Sequence, residues 1–211
     1  MQLRSGKITN TTTDNSSESV QLAAVVAQCG DVIRYIKNPS ESVQLAAVAQ
    51  DIRAIKHIKN PSEKVQLAAV AQNCCIIQYI ENPSKTVQLV AVTKYGCVTR
   101  YIKNPSKTVQ LAAVAHDGCA IQFIKNPTES VQLAAVRQIG VAIQFIKNPS
   151  EAVQLVAVKQ IPIAIKHIEN PSEAVQLAVV DTKNGFAISH IKNPSEAVQL
   201  AAVTQKKNTR Y

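Results

Sequence analysis

Apolar and polar residues alternate along this chain in a pattern that repeats every 22 residues, with a single inserted residue before the last Asn-Pro. Each copy has an apolar block, Val-Gln-Leu-Ala-Ala-Val, then a shorter block built on Ile-x-x-Ile, and then a polar Asn-Pro-Ser-Glu segment. Val-Gln-Leu occurs nine times between Val20 and Leu200, and Asn-Pro occurs eight times between Asn38 and Pro194. A fixed period of this length is typical of solenoids, in which each repeat packs on its neighbours.

The longer apolar block predicts an α-helix of about 11–12 residues in each repeat. Asn favours the N-cap position, Pro favours the first helical position, and Glu three residues after Asn completes a capping box. Lys85 and Lys107 replace this Glu in two repeats, which predicts weaker caps there. The predicted helix end coincides with Gly96, Gly118, Gly140 and Gly185, and with Pro162 in another repeat.

About seven residues remain before the next Asn-Pro, which predicts a second, short helix that is α or partly 3₁₀. Isoleucines three residues apart, such as Ile55 and Ile58, give this helix one inward edge. The sequence therefore predicts an all-α solenoid of about eight to nine units over residues 16–203. Residues 1–15 are polar and predicted to be disordered, and residues 204–211 form a basic C-terminal tail.

A glutamine follows the first valine of the apolar block in all nine copies, and we call these residues the Gln column. One interpretation is a polar binding stripe. We favour a structural ladder, in which each amide binds turn groups of its own layer or the next, because a buried amide without partners is costly. The Gln column comprises Gln21, Gln44, Gln66, Gln88, Gln110, Gln132, Gln154, Gln176 and Gln199.

The repeat is similar to one already known from other sequences. Residues 193–203, Asn-Pro-Ser-Glu-Ala-Val-Gln-Leu-Ala-Ala-Val, and residues 142–147, Ala-Ile-Gln-Phe-Ile-Lys, carry the likeness, which covers roughly Val20 to Val203. The chain resembles an uncharacterised 22-residue repeat domain of giant, mimivirus-like viruses of amoebae and of amoeba-associated bacteria. That family has no assigned activity, so the resemblance implies a viral setting only. A looser similarity to the leucine-rich-repeat variant implies a right-handed superhelix.

Cysteine and acidic residues give no catalytic or metal-binding arrangement. Cys75, Cys97 and Cys119 share one repeat position, but stacked layers about 8–10 Å apart are too distant for a disulfide or a shared metal. Cys74 and Cys75 are adjacent, which is not a ligand spacing. No phosphate-binding loop, nucleophile elbow or carboxylate pair occurs. We expect no enzyme activity, no cofactor and no small-molecule substrate.

Planar side chains recur at one position of the short helix, which we call the ring column. Packing between layers is the interpretation we favour, and a stacking surface for a peptide or for exposed bases is the alternative. The ring column comprises Tyr35, His57, Tyr79, Tyr101, Phe123, Phe145, His167 and His190.

Basic residues flank the ring column on both sides and form what we call the basic ridge. The chain carries +9 overall, and these two positions carry +8 once Glu81 and Glu169 are included, so the rest of the repeat body is weakly acidic. The ridge is either an ordinary solvated surface or an electrostatic track for phosphates or an acidic protein. It comprises Arg34, Lys37, Lys56, Lys59, Arg100, Lys103, Lys125, Lys147, Lys166 and Lys192.

These features predict a non-enzymatic scaffold that binds other proteins or its own copies, with a virion or virus-factory role implied by the resemblance. The alternative is a nucleic-acid-associated protein that binds phosphates through the basic ridge. No segment has the roughly 18 uninterrupted apolar residues of a membrane span, and residues 1–7 lack the apolar stretch of a secretory signal. We therefore expect a protein that is intracellular, in the host cytoplasm or in the virion, and neither secreted nor membrane-bound.

Overall fold

A computed structural model describes residues 17–28, 30–182 and 184–208. Within these ranges the chain is all-helical, and long α-helices alternate with short helices in consecutive layers, as in an all-α solenoid. The prediction of the fold class is confirmed. The chain divides into two compact units at the boundary between Val87 and Gln88. The predicted disordered tail lies outside the described residues, and the handedness of the superhelix stays a prediction.

The described part of the first unit contains three complete α-helices, each followed by a 3₁₀ helix of six residues. The elements are α1 (Glu18–Gln28), η1 (Gly30–Tyr35), α2 (Glu41–Gln50), η2 (Ile52–His57), α3 (Glu63–Gln72) and η3 (Cys74–Tyr79). Helix α4 (Lys85–Lys94) begins in this unit and ends in the second. The short helix of each of these repeats is therefore 3₁₀ over its whole length, which agrees with its position just before Asn-Pro, where the α conformation is disfavoured.

The second unit continues the same alternation and changes only in its last layers. The elements are η4 (Gly96–Tyr101), α5 (Lys107–His116), η5 (Gly118–Phe123), α6 (Glu129–Gln138), η6 (Gly140–Phe145), α7 (Glu151–Gln160), η7 (Pro162–His167), α8 (Glu173–Asp181), α9 (Gly185–Ile188) and α10 (Glu196–Asn208). Helix α9 is a single α-helical turn in place of a 3₁₀ helix. Helix α10 continues to Asn208, into the segment predicted as a basic tail.

The core repeats from layer to layer because the same repeat positions are buried each time. In the first unit, Val43, Ala47 and Val48 of α2 have no exposed surface, and Ile55 of η2 is 2% exposed. In the second unit, the equivalent residues form one continuous cluster from Val114 to Val198. Burial of aliphatic side chains stabilises such layers by about 25 cal/mol per Å² of apolar area, so no single large core is needed.

The long helices begin two residues later than the sequence predicts. Ser40 is the N-cap of α2, where its Oγ accepts a hydrogen bond from the Val43 amide at 3.4 Å. Pro39 therefore precedes the helix, and Asn38 has a φ of 53°, in the left-handed region. Asn tolerates this conformation better than most residues, which explains its place at the turn. The prediction of Asn as the N-cap and of Pro at the first helical position is wrong.

The predicted role of the glycines at the helix ends is also wrong. No glycine of the described residues has a positive φ, and Gly118 and Gly140 are the first residues of η5 and η6. A Cβ atom on Gly118 would lie 2.6 Å from the carbonyl oxygen of Ala135 in the next layer. These glycines therefore allow close approach between layers and do not form left-handed helix caps.

Serine and glutamate side chains connect consecutive layers. The Oγ of Ser40 donates to Glu18 Oε1 at 2.7 Å, and the Oγ of Ser84 donates to Glu63 Oε1 at 2.6 Å. In the second unit, Ser150 and Ser172 donate in the same way to Glu129 and Glu151. The glutamate predicted to complete a capping box in its own layer thus binds the N-cap serine of the next layer.

Candidate functional site

The 3₁₀ helices present the predicted site residues along one edge of each unit. With three residues per turn, residues three apart lie on the same side of such a helix. In η2 and the residue that follows it, Ile55 and Ile58 point into the core and are 2% and 7% exposed. Lys56, His57 and Lys59 are consequently exposed. The inward isoleucines therefore fix the direction of the basic ridge and of the ring column.

All ten residues of the basic ridge are exposed, as are Glu81 and Glu169, which interrupt it. The ring column varies more along the chain. Tyr35 is 63% exposed, Tyr79 45% and Tyr101 38%, whereas Phe123, His167 and His190 are half-buried. The rings are thus accessible in the first unit and more closely packed in much of the second.

Ridge cations lie over the rings of the following layer. In the first unit, Lys56 Nζ is 3.9 Å from the ring centroid of Tyr79. In the second unit, Arg100 Cζ is 4.4 Å from the ring centroid of Phe123. Within each unit, these cation–π contacts join residues of the basic ridge to residues of the ring column, and they occupy a face of each of these two rings.

One acidic residue is part of this edge in the first layer. Asp31 accepts a hydrogen bond from the guanidinium of Arg34, and its Oδ1 is 3.2 Å from His57 Nε2 of the next layer. Asp31 therefore holds an arginine of the ridge and a histidine of the ring column in fixed positions. An exposed ion pair such as that of Asp31 with Arg34 stabilises a fold by at most about 1 kcal/mol, so its main effect here is on side-chain position.

Two open clefts lie along this edge in the first unit. The first cleft has a volume of about 620 Å³ and is lined by Arg34, Tyr35, Ile36, Lys37, Asn38, Pro39, Gln44, His57 and Lys59. The second has a volume of about 570 Å³ and is lined by Lys56, Ile58, Lys59, Asn60, Pro61, Gln66, Tyr79, Ile80, Glu81 and Asn82. Lys59 lines both clefts, so the predicted ridge and ring residues come together here in a concave surface.

The Gln column makes hydrogen bonds within its own layer. Each amide nitrogen donates to the carbonyl oxygen of the proline five residues earlier, at distances of 2.8 to 3.1 Å, in Gln44, Gln66, Gln110, Gln132, Gln154, Gln176 and Gln199. The Oε1 atoms of Gln44, Gln66, Gln154 and Gln176 are buried without a hydrogen-bond partner. The sequence did not show whether each amide of the Gln column binds a turn group of its own layer or of the next. In the structure, it binds the proline carbonyl of its own layer.

A different glutamine, at the end of the long helix, connects layers, and sequence reasoning missed it. Gln138 Oε1 accepts from the Gly118 amide of the preceding layer at 2.9 Å, and Gln160 Oε1 accepts from the Gly140 amide at 2.7 Å. His116 Nδ1 accepts from the Gly96 amide at the same repeat position. The sequence signal was the recurring Val-x-Gln at the end of the apolar block.

The cysteine column lies on the same 3₁₀ helices, and Cys97 precedes the ridge residue Arg100 by one 3₁₀ turn. Cys75 is exposed, Cys97 and Cys119 are half-buried, and all three are free thiols. Burial, together with the neighbouring Asp117, raises the pKa of Cys119, which lowers its reactivity. Among the described residues, no group of three or more His, Cys, Asp or Glu side chains is placed to hold a metal ion.

In the described part of the chain, no helix has the length and apolar character needed to cross a membrane. The viral resemblance of the repeat stays a prediction, because none of the protein-family models, curated proteins or solved structures compared with this chain matches it.

Proposed function

We propose that this protein is a non-enzymatic scaffold that binds other proteins through the edge formed by its 3₁₀ helices. The observation that carries this proposal is the concave surface at residues 34–82, where exposed cations and rings line two consecutive clefts. Solenoids present extended surfaces of this kind, because each layer repeats the side-chain positions of the one before. A virion or virus-factory setting is proposed on the resemblance of the repeat alone.

Phosphate binding is the second candidate, and the exposure of all ten ridge cations favours it. One observation favours a protein partner instead. Lys56 and Arg100 already occupy a face of Tyr79 and of Phe123, so those faces are closed to stacked bases. Retardation of a nucleic acid in a gel at low salt would instead support the second candidate.

Site-specific photocrosslinking tests the scaffold proposal. Tyr35 and Tyr95 are 63% and 60% exposed, and only Tyr35 belongs to the ring column. A photoreactive benzoylphenylalanine at position 35 should form adducts with protein partners in native cells, and the same group at position 95 should not. Adducts of equal yield from both positions, or none from position 35, would contradict the proposal.

A matched pair of charge variants completes this experiment. The ridge variant is Lys37→Glu, Lys56→Glu and Lys59→Glu, and the control is Lys64→Glu, Lys85→Glu and Lys107→Glu, all at exposed positions outside the ridge. Both change the net charge by the same amount. The position-35 adducts should disappear in the ridge variant and persist in the control, because only the ridge variant removes cations beside the clefts. Loss in both variants would reduce the binding to an effect of net charge.

A further inference from the structure

The two clefts of the first unit differ in charge. Arg34, Lys37 and Lys59 line the first cleft, where Asp31 pairs with Arg34 and so offsets one of these three cations. In the second cleft, Glu81 offsets one of the two lysines, and the ammonium of Lys56 is directed at the ring of Tyr79. The positive potential is therefore strongest in the first cleft and reaches the second through Lys59, which favours an anionic occupant anchored at that lysine.

Asparagine side chains recur beside these cations. Asn38 lines the first cleft, and Asn60 and Asn82 line the second. Asn38 and Asn60 are exposed, have φ values of 53° and 49°, and make no side-chain hydrogen bond to the rest of the described chain. An amide side chain offers both a donor and an acceptor. Each layer thus presents one amide that can pair with a peptide backbone lying along the edge.

The repeat spacing suits one backbone conformation. Packed helices of neighbouring layers lie about 8–10 Å apart. A polyproline II segment rises about 3.1 Å per residue with three residues per turn, so every third side chain lies on the same face at about 9 Å intervals. Its backbone has no internal hydrogen bonds and is free to pair with the asparagine amides.

We infer that the two clefts bind an acidic polypeptide segment in an extended, polyproline II conformation, with carboxylates at every third residue. One carboxylate binds beside Lys37 and Lys59 in the first cleft, and the next lies near Lys59 in the second. Asn38 and Asn60 pair with the backbone between them. This inference rests on the proposed scaffold function and gives the chemistry of its partner.

Fluorescence anisotropy with synthetic peptides tests the inference on the full-length protein. The probe is a labelled peptide of five Glu-Pro-Pro units, and the controls are five Gln-Pro-Pro units and a peptide of equal composition with its five glutamates adjacent. We expect the regularly spaced peptide to bind at least about tenfold more tightly than either control. Equal binding of the clustered peptide would overturn the spacing, and tighter binding of a single-stranded oligonucleotide of equal charge would overturn the assignment to a polypeptide.

Two sets of variants locate the binding in the clefts. Lys59→Glu should lower the affinity for the regularly spaced peptide by at least about tenfold. Lys64→Glu, outside the clefts, should change this affinity by less than about twofold. Asn38→Gly with Asn60→Gly removes the amides and keeps the positive φ, which glycine adopts without steric cost. We expect about a tenfold loss of affinity with unchanged thermal unfolding. Unchanged affinity in either variant set would overturn the inference.

The peptide-binding experiment and the photocrosslinking experiment can fail independently of each other. Failure of the peptide to bind, with adducts still formed from position 35, would overturn this inference and leave the scaffold function standing. Peptide binding without adducts in native cells would overturn the scaffold function and leave the ligand chemistry of the clefts standing.

Discussion

At the scale of single residues, the two glutamine positions of the repeat have different roles. The Gln column binds the proline carbonyl of its own turn and fixes the chain between Asn-Pro and the long helix. The glutamine at the helix end accepts a hydrogen bond from the first amide of the 3₁₀ helix in the preceding layer. That amide has no partner within its own helix, so the second glutamine satisfies a buried donor.

Replacing the helix-end glutamine should therefore be costly. In Gln160→Leu, the buried Gly140 amide loses its acceptor, and we expect a loss of about 1–3 kcal/mol in the free energy of unfolding. Gln144→Leu is the control, because Gln144 is exposed on the 3₁₀ helix of the Gly140 layer, and it should change the stability by less than about 0.5 kcal/mol. Urea unfolding at neutral pH measures both. Equal stabilities of the two variants would show that the hydrogen bond between layers contributes nothing.

At the scale of the helices, every long α-helix of the described chain except α4 and α5 begins with a glutamate. Most long helices begin with Glu, close to the positive end of the helix dipole and to the N-cap hydroxyl of the next layer. Helix α5 begins with Lys107, which opposes the dipole and cannot accept that hydrogen bond. Lys85 of α4 is the other exception. The sequence prediction of weaker starts at these helices has a physical basis, although the bond concerned is to the next layer.

Correcting the charge at Lys107 should stabilise the protein. Lys107→Glu places a carboxylate at the start of α5, and we expect a gain of about 0.3–1 kcal/mol. Lys159→Glu makes the same change of charge in the last turn of α7, where a cation is favoured, and should cost a similar amount. Thermal unfolding of the two variants at low and high salt measures the effect. Shifts of the same sign would mean that net charge, and not helix position, determines the stability.

The sequence predicted the helices well and their junctions poorly, for reasons that particular residues show. The period and the inward isoleucines were enough to predict a long α-helix, a short second helix and outward basic and ring positions, but not that the second helix is 3₁₀ throughout η1 to η7. Asn38, Pro39 and Ser40 each suit a helix start, and only the folded turn shows that Ser40 is the cap. The contact of Lys56 with Tyr79 depends on the offset between layers, which a single repeat does not encode. The clefts depend on the same offset.

At the scale of the whole molecule, the two units differ in which kind of side chain has a lowered pKa: carboxyl groups in the first unit and a histidine in the second. In the first unit, the hydroxyls of Ser42, Ser62 and Ser84 hold the pKa values of Glu18, Glu41 and Glu63, respectively, below the ordinary value of 4.5. The guanidinium of Arg53 lowers the pKa of Asp51 in the same unit. In the second unit, burial, with a smaller effect of Lys166, lowers the pKa of His167 below 6.5. The first four groups favour their charged form in the fold, and His167 favours its neutral form.

These shifts predict that the two units lose stability in different pH ranges. Below pH 6.5 the unfolded chain protonates at His167 more readily than the fold does, so the second unit is destabilised as the pH falls from 6.5 through the folded pKa. The stabilisation by the lowered carboxyl pKa values is complete above pH 4.5 and is lost only as the pH falls further. Hydrogen exchange of peptides from each unit, corrected for intrinsic rates, should therefore show weakened protection in the second unit at pH 5 and in the first unit only near pH 4.

Substitutions test which side chains cause the loss of stability in each pH range. His167→Phe places a residue that the ring column already holds at Phe123 and Phe145, and it should abolish the loss between pH 6.5 and 5 because no proton can bind there. Replacing Glu18, Glu41 and Glu63 by glutamine should flatten the pH dependence of the first unit below pH 4.5 and leave that of the second unchanged. If protection in both units fell together at one pH in the wild-type protein, these side chains would not be the groups that make its stability depend on pH.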